Sequence, residues 1–393
     1  MATGECSTLH RFNDLAIQRF NKVTTGNSAL IDIIRAEIKN RGPQSFAWFM
    51  QQALYHSEHG YYSSGRCEIG RRGDYFTNVS VGLLFGKLLA AQFVEMWERL
   101  GKIDTFVIVE QGAHHGEFAR DVLESAHKRC PDFFEALRYR IVEPFPILQQ
   151  RQLQTLRPFG DKIEWRDSLQ PFVGVHFSNE LLDAMPVHLI SAGMEKLVEL
   201  EGDRFVLVER PLSQGVTASQ PSSGKAAFNQ AALDWIDNLA ANLQRGYVIA
   251  IDYGHLGDEL HGGVQVRAQH RHLDSPFEQI GHADITMHVD WTSIAERAQA
   301  NGLRIAGFTD QHHFLTGILS ELLGDELSED VDPKTKRALQ TLMHPEMLGR
   351  SFQVLALEKD TSASGSGVSQ GLAGFKFARK ARFALGLDRP NPR

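Results

Sequence analysis

Glu110 and the segment Gly112-Ala-His-His-Gly116 combine an acid, a sharp turn and a helix start within seven residues. They follow Phe106-Val-Ile-Val109, an apolar and largely β-branched run that reads as a buried strand. Gly112 lets the chain turn sharply. Gly116 opens a helix whose free backbone N–H groups face whatever lies at the strand end. This is the way a Rossmann-like sheet presents its first strand to a nucleotide-like cofactor. More polar side chains fall at successive strand ends. Glu143 closes a second strand, where a carboxylate can accept both hydroxyl hydrogens of a ribose. Asp167 and Ser168 follow a third, placed for an adenine edge, and Asn179 and Glu180 follow a fourth, where an acceptor substrate would sit. Each has a plainer reading as a helix or turn cap. Ligands of open α/β sheets bind outside the carboxyl ends of the strands, which favours the joint reading.

A nicotinamide enzyme would carry glycines at G-x-G-x-x-G spacing, which Gly112 and Gly116 do not match. G-x-x-x-G after an acid fits the E/D-x-G-x-G-x-G loop of S-adenosylmethionine (SAM) methyltransferases, with His114 in the place of the middle glycine.

The elements that must position these residues can be read from periodicity. Leu30–Lys39, Ser45–Tyr55 and Leu83–Leu100 read as helices, before strands at Phe106–Val109, Tyr139–Val142, Lys162–Trp165, Val173–Phe177 and Tyr247–Ile251. Helices over 116–129, 144–156 and 226–243 alternate with them. A mostly parallel, doubly wound α/β sheet is therefore expected. Val187–Val208 reads as an inserted antiparallel meander, and Leu303–Phe308 with Phe352–Leu357 as the last strand pair. The expected division is a helical and loop region over 1–100, a catalytic core over 101–360 with an insertion near 187–225, and a linker with a basic tail over 361–393.

The chain has 393 residues, 42% hydrophobic and 23% charged, enough for one large or two ordinary domains. A net charge of −7 gives no global case for nucleic acid. Three scattered cysteines form neither a disulfide framework nor a Cys-x-x-Cys metal pair, which suits a reducing compartment. No apolar run is long enough to span a bilayer. A soluble cytoplasmic protein is the expectation, with the mitochondrial matrix as the alternative. Of the 17 histidines only His270-x-His272 is tightly spaced within the 255–288 group, so no metal is expected. Phe375, Lys376, Phe377, Arg379, Lys380, Arg382 and Phe383 form a basic, aromatic tail. It reads as a solvated tail, or alternatively as a segment docking on an acidic surface or anionic membrane.

From Ile31 to Leu357 the chain resembles the MidA family of SAM-dependent methyltransferases. The resemblance rests on Gly42-Pro-Gln-Ser-Phe-Ala-Trp-Phe-Met50, Ala53–Tyr62, Ile69-Gly-Arg-Arg-Gly-Asp-Tyr-Phe-Thr77, Ser178-Asn-Glu-Leu-Leu-Asp-Ala-Met-Pro-Val187, Ile251-Asp-Tyr-Gly-His255 and Asp284–Asp290. It departs from the family where Gln111, Ala113 and His114 replace Leu, Pro and Gly of E-L-G-P-G-x-G. It departs again at Asn78-Val-Ser-Val81 and Val264-Gln-Val-Arg267. The resemblance implies a Rossmann-like class I methyltransferase sheet, SAM as cofactor and a protein arginine acceptor, the family's product being symmetric dimethylarginine on a complex I subunit. It further implies that Glu180, helped by Asp183 and Asn179, grips the acceptor. Arg71 or Arg72 would then bind the SAM carboxylate or stand as solvated loop charges, Gly73 and Asp74 of the same loop would count among the cofactor-binding residues, and Asp252 and His255 would line the acceptor channel or serve as caps. Two alternatives stand beside this: a different small-molecule or protein acceptor, or a non-catalytic member acting by binding, which His114 would favour.

Overall fold

The computed structural model of the chain describes residues 24–67, 77–191, 193–212, 227–256, 263–323, 332–361 and 371–388. The chain divides into two compact units: 1–75 with 184–231 and 260–287, and 76–183 with 232–259 and 288–393. This differs from the expected linear division. The helix at 83–99 belongs with the sheet, and the inserted meander joins the N-terminal helices in a unit of its own.

The larger unit is built on seven main strands: β1 (Phe106–Gln111), β2 (Leu137–Val142), β3 (Ile163–Arg166), β4 (Phe172–Asn179), β5 (Leu243–His255), β6 (Arg304–Asp310) and β7 (Phe352–Lys359). They lie in the order β6-β7-β5-β4-β1-β2-β3, and the two-residue strand Val289–Asp290 pairs with the end of β5. The five strands from β5 to β3 run parallel, while β7 runs antiparallel to both β5 and β6. The expected doubly wound, Rossmann-like sheet is what forms, and the final strand pair extends it beside β5, with β7 next to β5 and β6 at the edge.

Helices α1 (Leu83–Arg99), α2 (Glu117–Arg129), α3 (Pro146–Thr155), α4 (Gln230–Asn242), α5 (Trp291–Ala300) and α6 (Gln311–Leu322) belong to the same unit. Side-chain alternation along β1 sorts its residues by face. Phe106 and Ile108 join the cluster containing α1 and α2 residues such as Leu88, Phe93, Phe118 and Val122. Gln111, of opposite parity, meets Trp235 of α4. Both faces of β1 are covered, so its run is almost wholly apolar.

The smaller unit holds helices Ser28–Arg41 and Phe46–Tyr55, each N-capped by a side chain, Asn27 and Ser45 respectively. They share a core with the meander, whose strands Ile190–Ser191, Met194–Glu201 and Arg204–Pro211 pair antiparallel as expected. A second small antiparallel sheet, Gln265–Ala268 between Arg271–His272 and Asp284–Thr286, was not legible in the sequence. Most of the expected linker falls on 362–370, outside the described residues.

The basic tail is not a solvated appendage. Leu372, Ala373, Phe375 and Leu385 are buried. The backbone N–H of Gly374 donates to Gln92 Oε1 (2.9 Å), that of Ala373 to Glu95 Oε2 (3.0 Å), and Arg99 donates to the carbonyl of Gly371 (2.8 Å). Phe375 packs against Phe314 of α6, with ring centroids 5.2 Å apart, and Thr292 of α5 donates to the carbonyl of Leu385 (3.0 Å). The segment is a strap over α1, α5 and α6. A net positive charge masks its buried apolar anchors in the sequence, three of them clustered at 372–375 and one at Leu385. Phe375→Ala should therefore cost about 3 kcal/mol in urea unfolding, whereas a solvated tail would leave the midpoint unchanged.

Candidate active site

The turn after β1 is shaped by three residues in the left-handed region: Gly112 (φ 80°), His114 (φ 47°) and Gly116 (φ 84°). The middle position of the expected loop thus keeps a glycine-like backbone although it carries an imidazole, a conformation L-residues adopt at a cost. The His114 ring stacks on His115, centroids 3.7 Å apart. The Gly116 N–H closes the turn onto the Ala113 carbonyl (2.8 Å), and α2 begins at the next residue.

Gln152 of α3, absent from the sequence-predicted set, is the residue that ties this turn to the neighbouring strands. It is fully buried. Its Nε2 donates to the His114 carbonyl (2.9 Å) and to Glu143 Oε2 (3.1 Å), and its Oε1 accepts from the Trp165 indole (3.0 Å). One amide therefore links the turn, the end of β2 and β3. Helical periodicity offered no signal for it, because a buried glutamine reads as a surface residue.

Glu143 is 5% exposed and also receives the Phe145 N–H at 3.1 Å. Burial, opposed by those two hydrogen bonds, pushes its carboxyl up to about 7. A carboxylate has about four lone-pair sites, so two donors leave room for a pair of ribose hydroxyls. Asp167 and Ser168 are exposed beyond β3, with Gln149 Nε2 at 3.5 Å from Asp167 Oδ1. Glu110 is turned inward. Its carboxyl receives the Tyr139 hydroxyl (2.7 Å), and burial raises it to about 8, so it is held largely protonated under the turn. Gln111 has its own partners: its Oε1 accepts from Trp235 Nε1 (2.9 Å) and lies 2.9 Å from His176 Nε2. Burial pushes His176 down to about 3, so it stays neutral and donates there.

At the end of β4, Glu180 also takes a left-handed backbone (φ 55°), and its N–H donates to the Ile251 carbonyl (2.9 Å). Its Oε1 accepts from Asn179 Nδ2 (2.8 Å) and, at 3.4 Å, from the Asn78 N–H. Asn78 Oδ1 in turn accepts from Gln311 Nε2 (2.8 Å), and Asn78 Nδ2 donates to the side-chain Oδ1 of Asn179 (2.8 Å). Asn179 was expected to orient an acceptor through that oxygen; the structure gives it to Asn78 and makes Asn179 a support of Glu180. Glu180 neighbours the turn through Leu181, whose Cδ1 lies 3.5 Å from where a Cβ on Gly112 would sit.

Asp252 is a cap. Its Oδ2 accepts the N–H groups of Leu181 (3.1 Å), Leu182 (2.8 Å) and Asp183 (3.3 Å). It fixes the turn carrying Glu180 and the buried Asp183 instead of lining a channel. Arg71, Arg72, Gly73 and Asp74 lie outside the described residues. Among the described residues one cluster has metal-ligand types, His114, His115 and Glu117. Arg151 bonds His115 Nε2 at 2.9 Å. A guanidinium only donates, so that nitrogen accepts and Nδ1 carries the proton, which disfavours a metal on Nδ1.

The family model described as "Putative S-adenosyl-L-methionine-dependent methyltransferase" matches residues 88–309. The chain belongs to this family. SAM is accordingly its cofactor, and the turn with the Glu143 carboxylate, which has two donors and room for more, is a donor and acceptor set that fits it. A crystal structure from Burkholderia thailandensis with bound S-adenosyl-homocysteine is similar over 98% of this chain and 99% of its own, at TM-score 0.79 and 26% identity. The protein arginine methyltransferase NDUFAF7 homolog, mitochondrial, of Drosophila melanogaster is 27% identical, covering 86% of each chain. The human protein arginine methyltransferase NDUFAF7, mitochondrial, is 25% identical over 88% of this chain and 85% of its own.

Replacing Gln152 with Leu strands the His114 carbonyl, the Glu143 carboxyl and the Trp165 indole together. The expected loss in urea unfolding is about 2–4 kcal/mol, with weaker SAM binding; unchanged stability would remove Gln152 from this role.

Proposed function

We propose that this methyltransferase acts on arginine side chains of a protein partner. The named relatives support that acceptor, and one observation in this chain carries it: the Glu180 carboxylate, held by Asn78 and Asn179 on a left-handed backbone beside the cofactor turn. A guanidinium is planar, delocalised and protonated in water. A carboxylate that grips two of its N–H groups holds the plane and concentrates electron density on the third nitrogen. SAM supplies an electrophilic methyl group on a sulfonium. The acceptor nitrogen forms the new N–C bond as the C–S bond breaks toward sulfur, and the nitrogen gives up a proton, a base role assigned to Glu180. The rigid Asn78–Asn179–Glu180 chain supplies alignment, the main contribution available to an in-line displacement.

The inward-facing Glu110 is read as a support of the turn. Glu143 is read as the ribose acceptor, and the backbone at Gly112, His114 and Gly116 as the wall along the methionine part. Asp167 and Ser168 keep the adenine role and Asp183 that of helper, through its place in the capped turn. Among the described residues no helix is long and apolar enough to cross a membrane. The animal relatives are mitochondrial by name, which supports the matrix alternative over the cytoplasmic expectation.

Transfer from labelled SAM into a cell lysate tests the acceptor. Label recovered as methylarginine in a protein, and reduced at least about a hundredfold by Glu180→Gln while SAM still binds, is the expected outcome. Label confined to small molecules or to other side chains would exclude the arginine acceptor.

A further inference from the structure

The strap that closes over α1, α5 and α6 has an outer face whose charge is opposite to that of the chain as a whole. The chain is acidic overall at −7, yet residues 371–393 hold six Lys or Arg against one Asp. Within the described part, Lys376, Arg379, Lys380 and Arg382 are exposed. Phe377 and Phe383 are exposed among them, at 46% and 68%, and Phe383 is the most exposed of the large apolar side chains in the described residues. Lys376 pairs with Glu321 and Arg382 with Asp388. Among the described residues Arg379 and Lys380 have no ion-pair partner.

The inner residues explain why this face is ordered. Phe375 on one side and Leu385 on the other are buried, so the eight residues between Lys376 and Phe383 are presented from fixed ends. Presenting a preformed segment removes most of the ordering cost of binding. Exposed phenylalanines at 377 and 383 flanking cations at 379, 380 and 382 match the two demands of an anionic bilayer surface. The rings enter the boundary between headgroups and acyl chains, and the cations are drawn to the negative surface potential. Lys376 Nζ lies 5.4 Å from the Phe377 ring centroid, leaving that ring largely open to solvent. An acidic protein groove would need the cations, but it would not by itself account for two exposed rings on the same strip.

We propose that the outer face of the C-terminal strap, Lys376 to Phe383, is a peripheral docking surface for anionic lipid. It attaches the enzyme reversibly to a membrane surface. One anchoring strip of this size gives weak binding, so attachment is expected to depend on salt.

The test is sedimentation of the full chain with phosphatidylcholine vesicles, with and without phosphatidylserine. Binding is expected only with phosphatidylserine, and it should fall as salt is raised. Arg379→Glu with Lys380→Glu should lower the partition coefficient by more than about tenfold, and Phe377→Ser with Phe383→Ser should lower it too, while SAM binding in each double variant stays as in the parent chain. Equal binding to both vesicle types, no binding to either, or binding to polyglutamate but not to vesicles would overturn the proposal.

Discussion

The structure depends on a backbone constraint five residues long. The chain leaving β1 must reverse into α2 within Gly112–Gly116, and it does so through left-handed residues at the first, third and fifth positions. Glycine is the usual residue for such a conformation. Here the third is His114, so the conformation is secured from outside the turn. Gln152 holds the His114 carbonyl, and the same amide fixes Glu143 and Trp165. A buried side chain on α3 thus stands in for part of what a glycine would supply.

The strand ends carry acids in different states, and the fold sets each one. Glu110 and Asp252 are spent inside the structure, one receiving Tyr139 and the other capping the turn that carries Glu180. Glu143 keeps acceptor capacity beyond its two donors, and Glu180 is positioned by an asparagine pair backed by Gln311. Burial raises Glu110, Glu143 and Asp252, the last to about 7. The carboxyl ends of the parallel strands therefore form a patch whose charge is set by desolvation as much as by sequence.

The alternation of apolar runs with helical periods placed the five main parallel strands: β1, β4 and β5 carry long buried runs, β2 and β3 keep shorter β-branched and aromatic signals, and the helices between them are amphipathic. Helix Gln311–Leu322 and the small sheet around Gln265–Ala268 escaped that reading. Their patterns are short or broken, and long-range pairing decides them. Two departures from the family loop become intelligible only in three dimensions. Gln111 is accommodated by Trp235 and His176, more than sixty residues away in sequence, and His114 by Gln152. The strap was hidden for the opposite reason: composition describes its outer face, while burial of Phe375 and Leu385 determines its position.

Calorimetric titration of SAM into the chain across pH tests the turn and Glu143 together. Ribose hydroxyls donate, so they favour the ionised carboxylate; with Glu143 raised to about 7 in the free protein, affinity should rise as pH increases through that value, by about tenfold from pH 6 to 8. Saturable binding with that slope, flattened by Glu143→Gln, is expected. No saturable binding, or affinity indifferent to pH across this range, would contradict the placement of the cofactor at this turn.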